Sequence, residues 1–435
     1  MNTAIIGGGY AGMAAAVELA GSGIPVTVFE NARQLGGRAR GVSYNDTQLD
    51  NGQHLLLGSY RQTLRLIEKV GGDSEADFLR IPLQLELHRD FSMKAPKLPA
   101  PLHLFAALVG AKGLSVHDRL KAARFMLKLR YINFRLPVDI TVSEMLAQHG
   151  QGAALTKMLW EPLCIAALNT PISKASAQVF LNVLRDALNR TRADSDMLLP
   201  RNNLTTLFPQ RAADYIEQHG GKVRIGCGVN ALHPSGDGIE ISSAQDSEIF
   251  SHVICAAPPN VAARLLRTIS GFTPFSGLAE TTAQIDRLEQ QPIYTVYLQY
   301  PESIALPQPM LGLHRRCSQW LFDKGRIAGQ HGLIAVVISA EGIHQELSQD
   351  QLVNKVIAEL REEFAIAEQP LWVKVIAEKR ATFCCSPNLR RPSQQTSLPR
   401  LLLAGDYTAG DYPATLEGAV ISGLKCADAI LARQC

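Results

Sequence analysis

No run of about 18 apolar residues occurs in this chain, so no segment reads as a helix spanning a bilayer. Its eight cysteines fall without C-x-x-C or Cys/His ligand spacing, which excludes a zinc site and a disulfide framework. Reduced thiols, including the adjacent Cys384 and Cys385, are the expectation. A G-x-S-x-G elbow and an H-E-x-x-H helix are both missing, so hydrolase and metalloenzyme readings fall away, and no metal is expected. Net charge is only +3, too little for a nucleic-acid partner. Internal repeats and low-complexity tracts are absent. The apolar N-terminus lacks a basic leader and reads as a strand, not a signal peptide. What remains is an ordinary globular composition, 46% hydrophobic and 19% charged, and 435 residues suit two domains.

The first forty residues organise the rest. Asn2 to Gly12 is a short apolar strand entering a glycine cluster, with Gly7, Gly9 and Gly12 at G-x-G-x-x-G spacing around Ala11. A helix-forming stretch follows, then a second strand, Pro25 to Phe29, ending on Glu30. Such a turn lets backbone approach a pyrophosphate at a helix N-terminus. An acid roughly 20 residues beyond it is placed to bond a ribose. Leu35-Gly36-Gly37-Arg38 adds backbone and a guanidinium for phosphate, and Leu49-Asp50-Asn51-Gly52-Gln53-His54 comes soon after. At the far end, Leu401 to Leu403 is a buried-looking strand leading to Gly405-Asp406. Tyr412-Pro413-Ala414-Thr415-Leu416-Glu417-Gly418-Ala419 then opens a helix, with Pro413 in its first turn.

These segments resemble the flavin-containing amine oxidase and phytoene desaturase superfamily. More narrowly, Leu49 to Gly58 and Trp160 to Pro171 resemble the hydroxysqualene dehydroxylase family, a squalene-associated branch. The resemblance implies an α/β fold: a Rossmann-like FAD-binding domain with a discontinuous mixed sheet-plus-helix substrate domain. It implies one FAD, non-covalent because no cysteine or histidine stands in an attachment motif. The implied contacts are Gly7, Gly9, Ala11, Gly12, Glu30, Gly37, Arg38, Gly52, Gln53, His54, Val229, Gly405, Asp406, Thr415, Leu416 and Ala419. One departure is Pro200-Arg201-Asn202-Asn203, where amine oxidases carry Gly-Gly.

Taken in order, residues 1–80, 200–272 and 380–435 are expected to form the FAD-binding domain. Residues 81–199 and 273–379 are expected to form the substrate domain. Gly58 to Val70 reads as a helix and Pro82 to Met93 as a strand. Pro96 to Arg135 is basic, with Asp118 its only acid. Lys121, Arg124, Lys128, Tyr131 and Arg135 recur on one helical side; Ala122, Phe125, Leu129, Ile132 and Leu136 occupy another. Two fates are open for this stretch: packing with a solvated basic face, or docking on an anionic membrane. Residues 141–193 read as helices broken at Pro162 and Pro171.

The reaction implied is reductive loss of an allylic hydroxyl from a long-chain isoprenoid, with a separate electron donor recharging the flavin. An acid must protonate the departing hydroxyl. Asp411 and His54 are the candidates, and Trp160, Tyr407, Tyr412 and Phe322 are candidate walls for the cation left behind. Glu417 reads as a helix acid that is structural. The rivals are a carotenoid-type desaturase, an amine oxidase, and a prenyl-lipid carrier without flavin. Retention of Glu30, Arg38 and Asp406 opposes the carrier. The expected location is cytoplasmic, peripheral on the inner face of the cell membrane.

Overall fold

A computed structural model describes residues 1–188, 190–244, 246–269 and 276–433. Five parallel strands form one sheet in the order Lys222–Ile225, Val26–Glu30, Thr3–Ile6, His252–Cys255, Leu401–Leu403. Three of the five are buried along their whole length, as parallel strands covered on both faces must be. The helix Tyr10–Gly21 crosses the final helix, Leu416–Leu431, closely: a side chain at Gly423 would meet the Ala11 carbonyl at 2.1 Å.

A second sheet of seven strands runs Trp372–Phe383, Gln290–Gln299, Leu333–Ser339, Trp320–Asp323, Met310–Gly312, Gln84–Leu87, Phe91–Lys94. Strand alternation assigns its two faces. Val296, Leu298, Val336 and Ile338 pack on the amphipathic helix Gln349–Phe364 through Leu352, Val356 and Leu360. Tyr297, Trp320, Phe322 and Val337 point the other way, into the main core. Over that inner face lie the helices Leu102–Gly110, Val116–Tyr131, Glu161–Leu168 and Ala177–Leu188.

Several sequence expectations are corrected. Pro82 to Met93 is not one strand but a hairpin, Gln84–Leu87 with Phe91–Lys94, turned at Arg89 in the left-handed region. Pro162 does not break a helix. The chain runs through it because a π-turn at Thr156–Trp160 widens the spiral just before the ring. The helix Val116–Tyr131 stops before Arg135 and Leu136, since Asn133 and Phe134 adopt positive φ. The last helix starts at Leu416, because Thr415 is extended and caps Gly418 N at 3.1 Å; Pro413 lies outside it. The Pro200–Asn203 loop is pinned without glycines. Arg201 N donates to the Asp77 carbonyl at 2.9 Å, and the Asn203 side chain caps a one-turn helix, Leu204–Leu207.

The expected domain boundaries meet the structure unevenly. Those at 80/81 and 199/200 fall inside strands Phe78–Ile81 and Met197–Pro200, which pair with each other. That at 379/380 falls inside Trp372–Phe383, and that at 272/273 lies outside the described residues.

Glu417 is 2% exposed and accepts bonds from Gln62 N at 2.9 Å, Thr63 N at 2.9 Å and Thr63 Oγ1 at 2.7 Å. It therefore caps the helix Arg61–Lys69 from another element, although burial pushes its pKa up. Glu417→Ala is expected to cost roughly 2–4 kcal/mol, because three donors, two of them buried, lose their acceptor. Chemical denaturation checks this; a loss below about 0.5 kcal/mol would deny the cap its weight.

Candidate functional site

At the C-terminal ends of the parallel strands the glycine turn divides its labour. Gly7 takes φ +114°, and a side chain there would strike the Ala256 carbonyl at 2.7 Å. A side chain at Gly12 would meet the Gly7 carbonyl at 2.0 Å, so this glycine serves packing and does not face the cleft. Around Gly9 the nearest atom to an added Cβ is Gly37 Cα at 3.9 Å: this is the open side. Gly9 also starts the helix Tyr10–Gly21 with no side-chain cap, leaving its first N–H groups for a ligand.

Glu30 closes the second strand. Its two oxygens accept from Gly8 N and Ala32 N, both at 2.7 Å, which fixes the carboxylate at the cleft wall. Arg38 meets Asp406 at 2.6 Å and donates to the Ala381 carbonyl at 2.7 Å. Burial opposes its charge, but Asp406 raises the pKa of the guanidinium above its ordinary value. The ends of the chain thus converge on one ion pair.

Residues 51–54 run along the same cleft, with Asp50 buried behind them and off its lining. Asp50 accepts from Leu204 N at 2.8 Å, and burial pushes its carboxyl up to about 6. His54 Nδ1 lies 2.7 Å from the Gly52 carbonyl, so Nδ1 carries the proton there and Nε2 is left as an acceptor. Burial and Arg38 both lower its pKa, which favours a neutral ring and makes it a poor acid.

These walls enclose a cavity of about 1030 Å³. It brings together Gly7, Gly9, Ala11, Glu30, Gly37, Arg38, Gly52, Gln53, His54, Trp160, Val229, Gly405, Asp406, Thr415, Leu416 and Ala419. Away from the glycines the lining turns apolar: Leu85, Met93, Leu104, Met126 and Phe180 contribute, beside Trp160 and Phe322. Trp160 is 2% exposed and donates to Gln151 Oε1 at 2.9 Å, so the indole is both core and wall.

Asp411 is not in the cavity. Its side chain is 73% exposed, and its nearest cation is Arg185 at 4.0 Å. The loop turns it outward, where Arg391 holds the Tyr412 carbonyl at 3.0 Å and Asn182 the Asp411 carbonyl at 3.0 Å. A carboxylate in bulk water cannot be the acid of a dry pocket, so this candidate is withdrawn. Sequence reading missed Ala256, Ala257, Tyr60 and Asp186, which all line the cavity. Asp186 had a signal: it shares a helix face with Val179, Asn182 and Val183.

The residues present fit a long dinucleotide. The cavity has an acid fixed at one strand end, an open glycine, uncapped helix N–H groups and a guanidinium. Tyr407, 1% exposed, adds a hydroxyl without a hydrogen-bond partner among the described residues. Fold and site define a dinucleotide-binding oxidoreductase of the two-sheet α/β type. The chain belongs to the flavin containing amine oxidoreductase family, whose sequence model matches residues 10–431. Its cofactor is accordingly FAD. The hydroxysqualene dehydroxylase of Sinorhizobium fredii is 28% identical, over 99% of this chain and 98% of that protein. That of Rhodopseudomonas palustris is 29% identical, over 98% of each. The cyclohexylamine oxidase of Brevibacterium oxydans shares the fold, with a TM-score of 0.73 at 17% identity, over 100% of this chain and 99% of that one.

Glu30→Ala is expected to weaken FAD retention by roughly 1.5–3 kcal/mol, about 10- to 150-fold, through lost charge-assisted bonds. Gly9→Val should do at least as much by filling the open side. Flavin released on gel filtration measures both, and unchanged retention in the pair would move the nucleotide elsewhere.

Proposed function

We propose that this chain removes an allylic hydroxyl from hydroxysqualene reductively, giving squalene. The observation that carries this reading is the cavity itself: the dinucleotide cleft opens without a break into an arm walled by aliphatic and aromatic side chains. Such an arm suits a long isoprenoid. The relatives named for this reaction support the same reading.

In this reading Glu30 bonds the adenosine ribose, and Val229 lies against the adenine. The N–H groups after Gly9 and the Arg38 guanidinium would hold the pyrophosphate, and Asp406 would hold a hydroxyl of the ribityl side. Reduced flavin, when bound without a covalent link, supplies hydride. The chain's own work is to bind, orient, exclude water and deliver a proton. Trp160 and Phe322 present faces that stabilise positive charge on the allylic carbon. In this proposal residues 1–80, 200–272 and 380–435 make up the FAD-binding part, built on the five-stranded parallel sheet. The substrate part takes the seven-stranded sheet and its helices.

Membrane contact is the second half of the proposal. Among the described residues no helix is long and apolar enough to cross a bilayer. Yet Leu98, Leu102, Val109, Val116, Leu120, Leu127, Tyr131 and Val138 are all large, apolar and at least 40% exposed. On the helix Val116–Tyr131 they recur with Arg124 and Lys128 along the outward face, a mixture of apolar and basic groups suited to an anionic interface. The same helices face the greasy arm from inside through Leu104, Leu108 and Met126. A substrate dissolved in lipid would thus have a short path to the flavin.

Anaerobic incubation of photoreduced protein with hydroxysqualene should yield squalene together with oxidised flavin absorbance. Bleaching of oxidised enzyme by squalene or a carotenoid precursor, with hydroxysqualene untouched, would make it a desaturase instead.

Binding to anionic vesicles should fall when Leu120, Leu127 and Tyr131 are changed to serine, and also when Lys121, Arg124 and Lys128 are changed to glutamate. Only the charge component should fade with salt, since exposed charges about 10 Å apart are screened at 0.1 M. Vesicle flotation with FAD content as the folding control decides it; undiminished binding by both triple variants would return this surface to solvent.

A further inference from the structure

With Asp411 outside the cavity and His54 favoured neutral, the proposed reaction has no proton donor among the residues considered so far. One carboxylate in the cavity wall stands apart from the nucleotide machinery. Glu30 is tied to the glycine turn, Asp406 to Arg38, and Glu378 to Asn51 and the Arg380 amide. Asp186 instead sits on the helix Ala177–Leu188, whose residues Val183, Leu184, Ala187 and Leu188 line the same cavity. Tyr412, also in the wall, donates its phenol to Asp186 Oδ2 at 2.8 Å. Arg185 holds the carboxylate from behind, with Nε at 2.8 Å from Oδ1 and Nη2 at 3.2 Å from Oδ2. The Asp186 side chain is 20% exposed, so one end of this chain of groups reaches water while the phenol lies in the wall.

We infer that Tyr412 and Asp186 form the proton relay for the departing hydroxyl, an inference that rests on the dehydroxylation reading above. The phenol binds the substrate oxygen. In the step, the Tyr412 O–H bond breaks and its proton goes to that oxygen, while a solvent proton, taken up at the partly exposed Asp186 carboxylate, passes to the phenol oxygen. The carbon–oxygen bond breaks with its electron pair leaving in water. The carbon would be closed by hydride, the chemistry that reduced FAD would supply. Alcohol, hydride and one proton thus become hydrocarbon and water. Passing the proton through the phenol avoids a tyrosinate beside a carboxylate, which burial and Asp186 both disfavour by raising the Tyr412 pKa. Arg185 serves as a positioning residue.

The relay predicts a rate that falls as pH rises, because its proton comes from solvent. The charged and titratable groups around Asp186 are Arg185 on its own helix, Tyr412 on the loop, Glu417 on the last helix and, across Arg185, Asp411.

The test is anaerobic single turnover of reduced holoenzyme with hydroxysqualene, followed by flavin reoxidation in H₂O and D₂O across pH. Tyr412→Phe and Asp186→Asn should each slow the step about 10²–10⁴-fold with FAD content unchanged. Both should flatten the pH profile and shrink the solvent isotope effect, and Asp186→Glu should restore part of the rate. Independently of turnover, the oxidised holoenzyme should bind hydroxysqualene more tightly than squalene, and Tyr412→Phe should erase most of that preference. Variants that react at the wild-type rate, or slow without any change in isotope effect and pH profile, would overturn the relay while the dehydroxylation reading stands. Wild-type enzyme that leaves hydroxysqualene untouched would bring down both. Should Asp186→Asn fail to hold FAD, the wild-type isotope effect and Asp186→Glu carry the test alone.

Discussion

The ion pair between Arg38 and Asp406 is the constraint on which the site depends. Its partners are 368 positions apart, and each stands just beyond a structural turn: Arg38 after the second glycine pair, Asp406 after the last strand. For the pair to form, the strand Leu401–Leu403 must take its place at the sheet edge beside His252–Cys255, and the last helix must settle against Tyr10–Gly21. Both events bury apolar surface, which provides the driving force; the ion pair adds register. Arg38 also grips the Ala381 carbonyl on the longest strand of the other sheet, so one guanidinium fixes the relation of the two sheets at the cleft.

The cavity owes its two characters to those two sheets. Parallel strands end together, and their ends collect backbone N–H groups, a carboxylate and a helix terminus, which suits phosphate and sugar. The antiparallel sheet presents every second side chain, so Trp320, Phe322 and Val337 line one face while their neighbours pack on the helix Gln349–Phe364. Helices close the remaining side with more hydrocarbon. Water is therefore scarce where hydride and a carbocation would meet, and the few polar groups in that wall gain influence.

Much of the nucleotide end was legible in the sequence because it is local: Gly7, Gly9, Glu30 and Arg38 lie within about thirty residues and follow a spacing set by one turn and one crossover. Asp406 was legible because a buried strand leads into it. The acid was not. Asp411 and Tyr412 are neighbours in sequence, yet the loop sends one to solvent and the other into the cavity, a choice made by Arg391 and Asn182 from distant elements. Period-two apolar spacing named the region from Pro82 to Met93 as extended but could not show the turn at Arg89. The basic helix was seen, but its exposed apolar stripe was hidden, because hydrophobic residues fall on both of its sides and only packing tells which side is covered.

Convergence of both chain ends on one cleft has a consequence for synthesis. A ribosome adding about 5–20 residues per second needs roughly 20–80 s to travel from the glycine turn to Asp406. During that interval the sheet lacks its final edge strand, and the helix Tyr10–Gly21 lacks the partner that covers its small-residue face. The nascent chain can assemble the glycine turn and Glu30, yet it has no closed nucleotide cleft. Cofactor capture thus waits for the strand Leu401–Leu403 and the helix Leu416–Leu431 to dock, and their docking is the step that closes the cleft.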